Sequence, residues 1–492
     1  MPVIVIRKNI IFQPDSSRVI ARFLYTSIER SLELITRILS MPEKQQRETL
    51  FQVLRDYSKR HRSISRVFEK NFNRLLPMFS KLNIDPATLS TAQKVLIGSY
   101  FTMEYSIEAA AFFNPSIMED PDQSGLSLKE KRVIISFRAT GEGHISSIVF
   151  RSGIIDKNNH ILIEPPGRML ESPEQVKNHN YDKVSFFKKL AEMQTTDSPA
   201  YTIMKDKLPE NFTYEELKRY VAEARSILNN NTVALVLLNE IMWLASSHYE
   251  MDFSVDTSLS ERVIFPIADT EMKGIEDARF VRFTDDSGEV TYYATYTAYD
   301  GITILPKLLL TQDFYHFKVM PIHGDVAQNK GMALFPRKID GKYAMLCRLD
   351  GVNNYISFSD NITVWRKATL LQKPKYPWEF VQMGNCGSPI ETKDGWLVIT
   401  HGVGPVREYS LGVSLLDLEN PAKEIGRLET PILVPNENER EGYVPNVVYS
   451  CGSMIFNDSL IIPYAMSDHA STYATINLSE LLTALKKSSL VV

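Results

Sequence analysis

The residues best suited to chemistry lie in GIEDARF, Gly274 to Phe280, where Glu276 and Asp277 are adjacent carboxylates and Arg279 follows two positions later. The aromatic and Thr alternation of YATYTAYDG, Tyr293 to Gly301, comes next, and such alternation marks a strand. Asp277 is therefore expected at the mouth of a sheet, where a catalytic acid can be held rigidly. Taken alone it reads as a loop or turn carboxylate, because Asp favours turns. In a locally extended Glu276-Asp277 pair the side chains point to opposite faces, so only one enters a given cavity. On that reading Glu276 is a structural partner of a nearby Arg or backbone group.

Further blocks follow in order: MALFPRKIDGKYAMLCR at 332–348, SDNITVW at 359–365, GNCGSPIETKDGWLVITHGV at 384–403, LLDLENPAKEIGR at 415–427 and GYVPNVVYSCG at 442–452. Together with GIEDARF they resemble glycoside hydrolase family 130, the mannoside phosphorylases and related mannosidases. In that family the Asp of a G-x-E-D-P-R motif donates the proton; here Ala278 stands where the Pro is usual. The resemblance runs from about 114 to 482 with an interruption near 170–257. It implies a mainly β protein, a five-bladed β-propeller with the substrate in its central depression. An N-terminal helical region over 1–112 precedes the propeller at 113–492, and a helical insertion at about 171–257 forms an accessory lobe.

Inverting cleavage of a glycoside needs an acid on the leaving oxygen and a nucleophile on the opposite face of the sugar. The resemblance makes Asp277 the acid and inorganic phosphate, a co-substrate, the nucleophile. Phosphate prefers Arg, Lys and backbone N–H donors. The match carries phosphate ligands onto Arg348 and His401, with Lys338 added from the cluster Lys330, Arg337 and Lys338, at least two of which read rather as a solvated face. Gln328 and Gln382 depart from the pattern, standing where Arg and Lys are common. His401 suits an oxyanion if charged or hydrogen-bonding, and otherwise is a core or turn histidine. By the same resemblance Arg138, Tyr299, Asp300, Asn446 and Asp468 line the depression around the mannosyl unit. His144 either contacts ligand or caps its hairpin.

The expected activity is phosphorolysis of a β-mannosyl oligosaccharide to α-mannose 1-phosphate. The alternatives are an inverting β-mannosidase, for which Glu408 is the candidate base, and a silent sugar-binding propeller.

Composition agrees with these readings. With 55 Lys plus Arg against 59 Asp plus Glu, net charge −4, no global basic field draws the chain to nucleic acid. The most apolar run, 233–245, is too short to cross a membrane and contains Asn239 and Glu240. The start, MPVIVIRKN, lacks the pattern of a secretory signal, so the cytoplasm is expected. Three scattered cysteines, Cys347, Cys386 and Cys451, suggest buried thiols rather than a disulfide framework or zinc site. No metal or cofactor motif is present.

The elements that must position the site are a helical front and a strand-rich back. Apolar spacing predicts a helix over 17–39, a second from Ser40-Met-Pro-Glu, and a third from about Ser90 towards Ala111. Thr213 and Glu216 have capping-box form, Asn229 to Asn231 break that helix, and an apolar helix follows over 232–248. Both helical pieces are expected to share one lobe, whose apolar surface makes a homo-oligomer plausible. From Lys131 onward RVIISFRA, HISSIVFR, EVTYYATYTA, KYAMLCR, NYISFS, GWLVITHG, LGVSLLDL and SLIIPYAM recur between turns. That rhythm means an all-β assembly, sandwich or propeller, between which spacing does not choose.

Overall fold

The computed structural model describes residues 3–175, 180–192, 198–228, 231–301 and 304–488. Every expected run forms a strand, and the fold is mainly β, built of several antiparallel sheets with helical layers at the front and in the middle of the chain. The largest sheet has 11 strands. It consists of two antiparallel fans, one begun by Ala111–Glu119 and one by Gly274–Thr284, joined through the single parallel pair Gly274 and Ser146. Separate sheets begin at Ala333–Leu334 and Gln382–Asn385, and a last one runs through Val448–Tyr449, Ser459–Met466 and Ala470–Asn477.

The chain's start belongs to its end, because Val5–Arg7 pairs antiparallel with Ala470–Asn477. The helical front expected over 1–112 thus also carries strands. The predicted helix over 17–39 is corrected in the same sense: Val19–Phe23 is a strand paired with Thr102–Ser106, and the helix is Ile28–Ser40. Val19, Ile20 and Phe23 were read as helical because their spacing fits one turn, but Ser27, whose side chain accepts from the Arg30 N–H, sets the true start. Glu43–Tyr57 and Thr91–Tyr100 follow as helices, the latter closed by a Ser90–Gln93 capping box and ending well before Ala111. Gly98 lets that helix touch its neighbour, since a Cβ there would lie 1.8 Å from the Phe68 carbonyl oxygen.

The two helical pieces have separate cores, contrary to the single lobe expected. Ile35, Phe72, Phe79, Leu96 and Phe101 pack in the front layer. Phe186, Phe212, Leu217, Leu238 and Ile241 pack within the insertion. There the Thr213–Glu216 capping box starts Tyr214–Ile227, and Asn231 caps Thr232–Ser247; Asn229 and Asn230 lie outside the described residues. Each lobe buries its own face, so neither needs the other. The front layer is tied to the sheets by charge: buried Glu108 accepts from Arg18 at 2.7 Å and from Arg151 at 2.9 Å, and Arg62 meets Glu261 at 2.8 Å. The three cysteines are buried and form no disulfide, with burial pushing the Cys347 and Cys386 thiols up to about 12 and Cys386 Sγ lying 3.7 Å from His401 Nδ1.

A buried ion pair braces the approach to Gly274. Lys307 Nζ lies 2.7 Å from Glu271 Oε1 with both side chains fully buried, and donates to Thr270 Oγ1 at 2.8 Å. Glu271 also accepts from the Tyr249 and Tyr296 hydroxyls at 2.9 and 2.8 Å and from the backbone N–H of Ile267. Removing one partner strands a buried charge. Lys307→Met is expected to lower stability by about 3–5 kcal/mol, and adding Glu271→Gln should recover part of that loss; denaturant unfolding of both variants measures this.

Candidate functional site

The reactive sequence sits on a bulge. Glu276 pairs with Thr297 and Arg279 with Thr295, so Asp277 and Ala278 together oppose Tyr296. Asp277 adopts φ 54°, the left-handed region that Asp tolerates better than most residues. The extra residue breaks the side-chain alternation. Glu276 and Asp277 consequently reach the same guanidinium, Arg138 Nη2 to Glu276 Oε1 at 2.7 Å and Nη1 to Asp277 Oδ1 at 3.3 Å. The expectation of opposite faces is thus corrected, because it assumed an unbulged strand. The bulge is clamped from behind by the Tyr296 hydroxyl on Glu271.

A second bulge faces it. The register of Ala111–Glu119 shifts between Phe113 and Ser116, and Asn114, at φ 50°, donates from Nδ2 to Asp277 Oδ1 at 2.6 Å. Lys330 Nζ meets Glu276 Oε2 at 2.5 Å. Burial would raise the Asp277 carboxyl, but Arg138, Arg279, Lys330 and the Asn114 hydrogen bond outweigh it and hold the group below the usual carboxylate range. Asp468 goes the other way, pushed up to about 6 by burial and the Asp277 charge, against partial relief from Arg138 and Arg407.

On the far side of Asp277 the site turns basic. Arg279, 2% exposed, donates from Nη1 to the Asp277 carbonyl at 3.1 Å and from Nη2 to the Tyr449 hydroxyl at 2.7 Å. Arg348 donates from Nη2 to Gln382 Oε1 at 3.3 Å and to the Gly351 carbonyl. Neither guanidinium has a salt bridge among the described residues, and the Nε of each is buried without a hydrogen-bond partner. His401 lies beside them, its ring 5.9 Å from Tyr409 and 5.0 Å from Tyr449. Burial, then Arg348 and Arg279, push its pKa well below the ordinary value, so the imidazole is neutral. This setting favours the neutral, hydrogen-bonding reading of His401 over the charged one. Gly384 leaves room for both Arg348 and His401: a Cβ would lie 2.6 Å from His401 Cε1 and 2.9 Å from Arg348 Cδ.

The sequence-predicted residues share a topological address. Arg138 and His401 lie near the end of the second strand of their groups, in Lys131–Thr140 and Gly395–Val403. Tyr299 closes Val290–Tyr299, with Asp300 next, Arg348 follows Tyr343–Cys347, and Asp468 follows Ser459–Met466. The Tyr299 hydroxyl donates to the Gly301 carbonyl at 2.9 Å, and Asp300 is half-buried. Asn446, at φ 61°, is fixed through its main chain, its carbonyl accepting from the Tyr409 N–H at 3.0 Å.

Lys338 does not join them. Its Nζ pairs with Asp286 at 2.9 Å, and Arg337 pairs with Glu391 at 2.8 Å. The Thr284 N–H bonds the Pro336 carbonyl, which sets this segment at the far end of the strand, seven residues from Asp277, or about 23 Å at roughly 3.3 Å per residue. Lys330 is the member of that cluster that reaches the carboxylates. Gln328 is exposed, Gln382 donates to the Tyr409 hydroxyl at 3.0 Å, and Glu408 faces Arg440 at 3.9 Å. Asn114, Tyr409 and Tyr449 were missed as site residues. An Asn-Pro inside an otherwise apolar strand was a usable signal for Asn114; the tyrosines had none.

Comparison with known proteins adds to this geometry. The family model described as beta-1,4-mannooligosaccharide phosphorylase matches residues 251–487. The 1,2-beta-oligomannan phosphorylase of Thermoanaerobacter sp. (strain X514) is 35% identical over 230 residues, covering 45% of this chain and 75% of that protein. The chain belongs to glycoside hydrolase family 130. It is an enzyme of this family of glycoside phosphorylases. Another family 130 relative, the beta-1,2-mannobiose phosphorylase of Listeria innocua serovar 6a, is 26% identical over 356 residues, 68% of this chain and 91% of that one. The solved Listeria innocua beta-1,2-mannobiose phosphorylase in complex with beta-1,2-mannobiose aligns over 77% of this chain and 92% of that chain at 19% identity, with a TM-score of 0.45.

Asp468 gives the site a pH signature. Its folded-state pKa of about 6 lies above its unfolded value, so its ionisation costs stability above pH 6, and that cost disappears as pH falls towards about 4. Asp468→Asn is therefore expected to stabilise the protein at pH 7.5 by about 1–3 kcal/mol, with the gain vanishing near pH 4. Unfolding curves at the two pH values test it.

Proposed function

We propose that this protein is an inverting phosphorylase of β-mannosides. Asp277 gives its proton to the glycosidic oxygen while inorganic phosphate, held by Arg348 and His401 with Arg279 beside them, attacks C1 from the opposite face and leaves as α-mannose 1-phosphate. The observation that carries this reading is the pair of guanidiniums, Arg279 buried and Arg348 half-buried, each with a buried unpartnered Nε and neither with a salt bridge among the described residues. Two like charges in that setting favour an anion with several acceptor oxygens. A neutral His401 serves such an anion as a hydrogen-bond donor.

The acid must carry its proton at the moment of transfer, although the surrounding cations keep Asp277 ionised in the free protein. A phosphate beside Arg279 and Arg348 offsets that positive field and raises the Asp277 pKa. Phosphate binding thereby loads the acid. Arg138, Asn446 and Asp468, with Tyr299 and Asp300, take the mannosyl hydroxyls, Arg138 and the carboxylates each being able to bind two. The hydrolytic alternative is less well supported, since Glu408 contacts none of the residues around Asp277 among the described residues.

The same reading takes the antiparallel groups as five blades of a propeller. Support comes from Val5–Arg7 completing the last sheet, from the bridge between Ser116 and Gly452 that joins first group to last, and from the shared address of the site residues. A reaction consuming inorganic phosphate fits the cytoplasm, where phosphate is available.

Incubation with β-1,2- and β-1,4-mannobiose, with and without phosphate, tests the mechanism. Phosphate-dependent α-mannose 1-phosphate is expected, and Asp277→Asn should cost roughly 10²–10⁴-fold in rate while sugar binding survives. Arg348→Ala should raise the phosphate KM about 10- to 100-fold with little change in mannobiose affinity. Free mannose released at an equal rate without phosphate would defeat the proposal.

A further inference from the structure

The surface carries an aromatic pair that the reaction as described does not use. His144 and Tyr443 come from separate parts of the chain, and their rings lie 5.2 Å apart at 32°. Tyr443 is 69% exposed and His144 is exposed as well, so neither ring contributes to a core.

Both rings nevertheless stand on rigid supports. The turn bearing His144 is held from below by the Tyr105 hydroxyl, which donates to the Glu142 carbonyl at 2.7 Å. Its Gly141 packs so closely that a Cβ would lie 2.2 Å from the Ser106 carbonyl oxygen. His144 itself takes φ 58°, a left-handed conformation costing of order 1 kcal/mol that persists where the surroundings enforce it. The Tyr443 loop is fixed to the last sheet, with the Val444 N–H on the Ser467 carbonyl at 3.2 Å and a Gly442 Cβ position 2.2 Å from that oxygen.

These supports connect directly to the site. Ser146, two residues beyond His144, accepts from Arg138 Nε at 2.9 Å, and Ser467 precedes Asp468. The pair thus adjoins the Arg138, Asp277 and Asp468 end of the site. The Arg348 and His401 end is built from other strands. In an inverting displacement the acid and the leaving group share one side and the nucleophile takes the other.

We infer that His144 and Tyr443 form the platform for the leaving sugar, the pyranose downstream of the scissile bond. This rests on the phosphorylase reading given above and extends it to acceptor specificity. The electron-rich faces of aromatic rings attract the polarised C–H face of a pyranose, and a few rigid aromatic surfaces beside convergent polar groups are how a site orients a ligand.

The reverse reaction separates this role from a structural one. With α-mannose 1-phosphate as donor and mannose as acceptor, His144→Ala and Tyr443→Ala are each expected to raise the mannose KM roughly 3- to 10-fold. The donor KM should stay within about twofold, and Tyr443→Phe should behave as the natural protein. An unchanged mannose KM in both Ala variants, or equal changes for donor and acceptor, overturns the inference while leaving the phosphorylase reading intact. If the natural protein forms no product in either direction, the phosphorylase reading fails. The platform is then tested by titrating β-1,2-mannobiose without phosphate: weaker binding by both Ala variants supports it, and equal binding overturns it.

Discussion

One guanidinium organises the carboxylate end of this site. Arg138 binds Glu276 and Asp277 together, and it can do so only because a bulge turns Asp277 out of the strand's alternation. Two adjacent buried carboxylates repel one another, and each loses hydration. Arg138, Lys330 and Asn114 supply opposing charge and a hydrogen bond at short range. The bulge is in turn fixed by Tyr296 and the Glu271–Lys307 pair behind it. A substrate thus meets a carboxyl group whose position is set from several directions.

The opposite end of the site is organised by surplus rather than by pairing. Arg279 and Arg348 each repel the other, depress the proton affinity of His401 and keep a buried Nε unpartnered. Burial and the Arg279 charge weigh against the Arg348 guanidinium, while Arg279, despite its burial, is held charged with help from Tyr449 and Asp277, so Arg348 is the cation that a bound anion would relieve. Gly384 is the small residue that leaves room for both Arg348 and His401, since a Cβ there would clash with each.

The helical layers contribute through anchorage. The Arg18–Glu108–Arg151 cluster and the Arg62–Glu261 pair fasten the front layer to the sheets, and the insertion returns to the second fan through Tyr249–Asp252, which pairs with His316–Pro321. The short segment from Ile267 to Lys273 that leads into the bulge is thereby held by residues from both the insertion's exit strand and the sheet.

Local pattern alone identified the strand runs, the helix start near Ser90, the capping box at Thr213 and the motif carrying Asp277, because hydrophobic period and turn chemistry act over a few residues. Local pattern did not name Arg138, Arg348, His401, Asn446 and Asp468, which came from the family resemblance; all of them but Asn446 sit near or just past the end of the second strand of their groups. It misread Val19–Phe23, where a helical period is overridden by pairing with a strand some 80 residues away. It could not foresee that Lys330 rather than Lys338 meets the carboxylates, that Asn114 bonds Asp277, or that His401 is neutral. Those properties depend on register, bulges and shared burial between distant segments. The residue types were written in the chain, while their distances, and with them their charges, were decided by the tertiary structure.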